Sequence, residues 1–251
     1  MDYTIAENYT LPSLGKIYPF EVNPNVKIRS MTTNEEMKRL APSDGAYKNI
    51  CEIIDDCLVE KPGISCYDMH LGDYQYLLHK LRVVTYGPEY TVTSSCPYCG
   101  GINKDTINLE DIQVFDYDLK AVEELFEFDL PKTKRHIKLR MQTPRILDEI
   151  QSKAKELKRK SPNLVGDPAF FISIQMMIDE IDGKKPHPLK LEDFVKELPM
   201  MDTNVIIKHC QKINESIGLD VMLINTCSVC GLDYKSRFRT DSQFFGPDID
   251  L

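Results

Sequence analysis

TVTSSCPYCGGIN (Thr91 to Asn103) and INTCSVCGLDY (Ile224 to Tyr234) share one plan: a short strand-like lead, a C-x-x-C turn followed by glycine, and a return segment. Two residues between paired cysteines let a tight turn aim both sulfurs at one point, and structural Zn²⁺ takes four such ligands in a tetrahedron. Gly100 and Gly231, each directly after a second cysteine, suit a backbone that must turn with positive φ. One turn supplies half a site, so Cys96, Cys99, Cys227 and Cys230 together predict one structural Zn²⁺ centre. The 127 residues between Cys99 and Cys227 far exceed a local zinc ribbon, so the chain must bring its two halves together.

Outward from the turns the halves keep matching. PEYTVTSS and LDVMLINT read as strands entering the turns, and INKDTINLEDIQVF to Phe115 and LDYKSRFRTDSQFF to Phe245 read as return strands of two hairpins. Upstream, DYQYLLHKLRVVTYG is a helix stopped by Gly87, and DTNVIIKHCQKINESIG is a helix from Asp202 as N-cap to Gly218. Earlier still, VKIRSMT (Val26 to Thr32) is echoed by IKLRMQT (Ile137 to Thr143), each alternating like a strand. Thr33 with Glu36 has capping-box form, and Thr143 before Pro144 places a cap ahead of a proline.

The expected fold is therefore α+β: two diverged pseudo-symmetric repeats, each a strand, helices and a zinc-knuckle hairpin, joined by the shared four-cysteine site. Residues 1–130 form the first repeat with an N-terminal arm, and residues 131–251 the second. PAFFISIQMMIDEIDG (Pro168 to Gly183) reads as an extra helix inserted after Asp167. A pseudo-twofold pairing would set the two hairpin tips side by side.

Composition narrows the function. The chain has 251 residues, 42% of them hydrophobic, enough for a substantial core. A net charge of -8 opposes broad attraction to nucleic acid. No apolar run reaches the roughly 20 residues of a membrane span, and the first residues lack signal-peptide form, so no membrane partner and reduced, cytoplasmic thiols are expected. Cys51, Cys57, Cys66 and Cys210 are isolated and read as packing residues. The basic run KAKELKRK (Lys153 to Lys160) suits the negative end of a helix.

The five histidines, His70, His79, His136, His187 and His209, sit in no catalytic motif, and four thiolates leave a metal no open position for substrate, so no enzyme is expected. Two rival readings remain. CPYC also occurs in thiol-disulfide oxidoreductases, where a helix N-terminus activates the thiolate, although Gly100 and Gly101 oppose a helix start here. A zinc-finger nucleic-acid binder is the other, and it conflicts with the acidic charge.

Four strings in order, LPSLGKIYP (Leu11 to Pro19), VKIRSMTTNEE (Val26 to Glu36), LRVVTYGPEY (Leu81 to Tyr90) and CPYCG (Cys96 to Gly100), resemble the baseplate hub assembly proteins of contractile-tailed bacteriophages. That resemblance implies a virus-encoded protein that helps build the hub or wedge centre of the tail baseplate. It would be either a chaperone-like factor that leaves or a minor subunit that stays in the virion. Its implied partners are hub or tape-measure proteins, met in the host cytoplasm during tail assembly. The second cysteine turn is read from this sequence and is not carried over from the family. Leu11, Pro12, Gly15 and Tyr18 are candidate partner contacts, since such an arm can lie extended on another surface; the alternative is a strap on its own domain. Phe244 and Phe245 pose the same choice.

Overall fold

The computed structural model describes residues 5–43, 45–161, 166–238, 240 and 244–245. The alternating VKIR segment becomes β2 (Asn25–Arg29), the centre of a three-stranded antiparallel sheet with β1 (Ala6–Thr10) and β3 (Leu58–Glu60). Val26 and Ile28 are buried while Lys27 and Arg29 lie half out, as a period of two requires. β2 leads into α1 (Thr33–Leu40), but the capping box lies one residue earlier than expected, with Thr32 as cap and Glu35 reaching back to its N–H. Glu35 wins over Glu36 because Arg29 holds its buried carboxylate at 2.9 Å, whereas Glu36 pairs with Arg39 on the same helix. α2 (Ala46–Cys57) then runs directly into β3.

The IKLR echo becomes the centre of a second antiparallel sheet, as β7 (His136–Leu139) between β6 (Glu127–Asp129) and β8 (Ile178–Ile181). Both central strands carry a register shift toward their third strand, at Lys27/Ile28 and at Lys138/Leu139. β7 leads into α5 (Pro144–Lys160), capped by Thr143 with Pro144 in the first turn, as read from the sequence. α6 (Pro168–Met177) starts from Asp167, but it stops at Met177 instead of running to Gly183. Ile178–Ile181 forms β8, and Asp182 and Gly183, both at positive φ, turn the chain back so that Ile181 bridges Lys184. The segment therefore ends in a strand that completes the sheet. α7 (Pro188–Glu197) follows it, where the first half has only a 3-10 turn at Cys66–Asp68.

Two 16-residue helices organise the centre: α3 (Leu71–Tyr86), stopped by Gly87, and α8 (Met200–Glu215). α8 begins behind Pro199, so Asp202 is not its N-cap. The buried Asp202 carboxylate instead accepts the N–H groups of Lys132 and Thr133, both at 2.9 Å, in the β6–β7 turn. Asp73 holds the same place in α3 and accepts the Ser13 N–H at 3.0 Å and the Tyr18 hydroxyl at 2.6 Å. Each helix thus anchors the connection between the first two strands of a sheet, β1–β2 for α3 and β6–β7 for α8. The start of α3 also presses on the end of α8, where a Cβ added at Gly72 would lie 2.2 Å from the Ile217 carbonyl oxygen.

Beyond the helices come two hairpins, β4 (Glu89–Ser95) with β5 (Ile102–Asn108) and β9 (Met222–Thr226) with β10 (Asp233–Arg237). The return strands end well before Phe115 and Phe245. Val114 bridges Leu219, tying the exit of one hairpin to the entry of the other. One core surrounds α3 and β2 and takes in Leu219, Phe238, Phe244 and Phe245 from the far end of the chain; another surrounds α8 and β7. α4 (Leu119–Phe126) runs into β6, so a border between residues 130 and 131 would cut the turn joining two paired strands. Among the described residues no helix is long and apolar enough to cross a membrane.

Candidate metal centre

The two hairpin tips meet, and their turns have the same hydrogen bonds. Gly100 N–H donates to the Cys96 carbonyl and Gly231 N–H to the Cys227 carbonyl, both at 2.9 Å. Cys96 N–H donates to Gly101 O at 2.8 Å and Cys227 N–H to Leu232 O at 3.0 Å. Both glycines sit at φ +72°, the left-handed conformation expected of them. Gly101 answers to space, because a Cβ there would fall 2.8 Å from Val229 of the opposite turn.

This geometry brings Cys96, Cys99, Cys227 and Cys230 together with all four sulfurs within 4.8 Å of one another. Sulfurs of opposite turns approach to 3.8 Å for Cys96 and Cys230 and 3.6 Å for Cys99 and Cys227. A tetrahedral zinc with bonds of about 2.3 Å needs sulfurs about 3.8 Å apart, so the cluster fits such an ion. Cys96 and Cys227 are buried, and Cys99 and Cys230 face outward.

The donors around the sulfurs suit thiolates. Gly101 N–H points at Cys99 and Val229 N–H at Cys227, each at 3.4 Å. The backbone N–H groups of Cys230 and Val229, with the Asn103 amide, draw the Cys227 thiol down to about 6 against the burial that raises it. At Cys99 the Gly101 N–H also pulls downward, but Cys230 and the other crowded sulfurs push the thiol up to about 12. Four negative sulfurs this close repel one another, and a divalent cation relieves that repulsion. Bound there, the ion would supply a cross-link between the two hairpins; four thiolates leave no position for a substrate.

Sequence reading missed the braces of this cluster. Asn103 and Tyr234, each four residues after a second cysteine, are buried between the turns, and Tyr234 O–H pairs with Ser94 Oγ at 2.6 Å. The only available signal was a polar residue at an inward position of each return strand.

The other expected sites fall elsewhere. Leu11, Pro12, Gly15 and Tyr18 are buried, so these residues pack as a strap on their own core; Leu14 and Pro19, with Phe20 just after the string, are exposed apolar residues. Phe244 and Phe245 are likewise buried, Phe244 against His79 and Tyr90. Cys51, Cys57, Cys66 and Cys210 are buried apart from the cluster. His70 and His79 are inside the core, His187 caps α7, and His209 stacks on Phe128. The CPYC turn runs into strand β5, so Cys96 lacks the helix N-terminus that activates a redox thiolate.

The profile of the T4 bacteriophage base plate protein family matches residues 3–246, which includes the arm, both sheets and both cysteine turns. The chain belongs to this family. Comparison with curated proteins and with solved structures gave no match. As a member of the base plate family it is a phage baseplate protein, and its four-cysteine cluster is a place where that protein can hold a metal ion.

Proposed function

We propose that this base plate family protein acts without catalysis in building the hub of the phage tail, as an assembly factor or minor hub component, and that a structural Zn²⁺ at Cys96, Cys99, Cys227 and Cys230 locks its shape. The convergence of four sulfurs from distant segments carries the reading, since a closed thiolate site stabilises a shape and offers no open coordination position for chemistry. The burial of His70 and His79 supports a role without acid–base chemistry. Its partners would be other baseplate proteins, with hub or tape-measure proteins foremost, met in the host cytoplasm and retained or released at the virion tail. Exposed Leu14 and Pro19 of the arm and Phe20 beside it are apolar residues free to meet them.

The scaffold itself reads as a diverged duplication. Sheets with the same strand order and a central register shift, aspartates at the third position of α3 and α8, and matching cysteine turns support that reading. The border is best set ahead of α4, so that β6 stays with its partner strand. Affinity purification from infected cells should recover hub or tape-measure proteins with this chain, and metal analysis should find one zinc per chain. Infectious tails assembling normally after deletion of the gene would refute the assembly role.

A further inference from the structure

Asn103 lies between the two cysteine turns and is 3% exposed. Its carboxamide oxygen accepts both the N–H and the Oγ–H of Ser228 in the opposite turn, each at 2.8 Å. Its nitrogen lies 3.7 Å from Cys227 Sγ, 3.0 Å from the Tyr234 hydroxyl and 3.3 Å from Gly101 O in its own turn. The Ser228 N–H can only donate, so the amide oxygen must face it; the opposite orientation would set donor against donor. The amide N–H groups are therefore directed to the side of Cys227.

We infer that Asn103 is the positioning residue of the metal centre: it ties the second cysteine turn to the first and donates to Cys227, so retention of the ion depends on this one amide. The inference rests on the four-sulfur metal reading. An N–H directed at a thiolate disperses its charge and eases the repulsion among four close sulfurs. The Ser228 bonds meanwhile fix where Cys227 stands relative to Cys96 and Cys99. Groups that orient ligands in this way commonly change metal affinity by about 10- to 100-fold when altered.

The test uses the full chain loaded with Zn²⁺, and separately with Co²⁺ as a spectroscopic probe. Asn103→Asp keeps an oxygen toward Ser228 but replaces the donor with a carboxylate oxygen beside Cys227. It should lose at least about tenfold in zinc affinity against a chromogenic chelator and shift the sulfur-to-cobalt charge-transfer band. Asn103→Ser serves the same comparison if the aspartate variant fails to fold by circular dichroism. Ile28→Val removes one methylene from the core around β2, which does not include the cysteine cluster; it should lower the melting temperature yet leave the band in place and the affinity within about twofold. An unmoved band and unchanged affinity in the Asn103 variants, or an equal loss in Ile28→Val, would overturn the inference. Wild-type protein that takes up neither metal would overturn the four-sulfur reading and this inference with it.

Discussion

His79 is enclosed by Phe238 and Phe244, with ring centroids 5.2 and 5.0 Å away, and burial pushes its pKa down from 6.5 to about 3. Burial likewise takes His70 down to about 4, against a smaller upward pull from Asn214. Both are neutral in the fold, so the unfolded chain binds protons first as pH drops. The stability they contribute is complete above pH 6.5 and is lost as pH falls toward 4 and then 3, by about 1.4 kcal/mol per pH unit for each. His79→Phe keeps a ring in place and removes one titration. Between pH 6 and pH 4 its urea-unfolding free energy should fall less steeply than wild type by about 1.4 kcal/mol per unit, and parallel curves would refute the assignment. Residues whose chemistry is tied to local spacing could be read directly: the cysteines and their positive-φ glycines stood where the turns demanded. Asn103 could not, because its value comes from Ser228, 125 residues away.

Secondary-structure elements were legible where a local rule acted alone. Alternation marked β2 and β7, Thr143 with Pro144 marked the start of α5, and Gly87 marked the end of α3. Tertiary partners decided the rest. The apolar-rich stretch through Ile178 concealed a strand that only sheet pairing and the Asp182–Gly183 turn reveal, and the ion pair from Arg29 to the buried Glu35 carboxylate chose Glu35 over Glu36 for the cap. Asp202 looked like a cap because its bond to the β6–β7 turn is invisible locally. Gly72 offers a direct test of such a tertiary override. In an isolated helix Gly→Ala gains about 1 kcal/mol. Here the new methyl would meet the Ile217 carbonyl, so Gly72→Ala should cost about 2 kcal/mol in chemical denaturation. A gain in stability would show that α3 and α8 do not approach as described.

Across the whole molecule the cysteine centre joins hairpins whose strands lie far apart in the chain, so extracting an ion should loosen long-range order more than local structure. Treatment with a zinc chelator should lower the melting temperature by roughly 10 °C, the shift expected for a loss of about 4 kcal/mol in a chain of this size. Cys227→Ser should show the lower value with or without chelator; a chelator-independent wild type would exclude a stabilising ion. The meeting of the two cysteine turns was legible from their shared spacing, but the sharing of one core by the two ends of the chain was not. Leu219, Phe238, Phe244 and Phe245 complete a core whose other members come mostly from before residue 110. A ribosome must therefore finish nearly the entire polypeptide before the earliest-made sheet can shed its last water. Nascent chains halted midway would display bare apolar surface and depend on host chaperones to stay in solution.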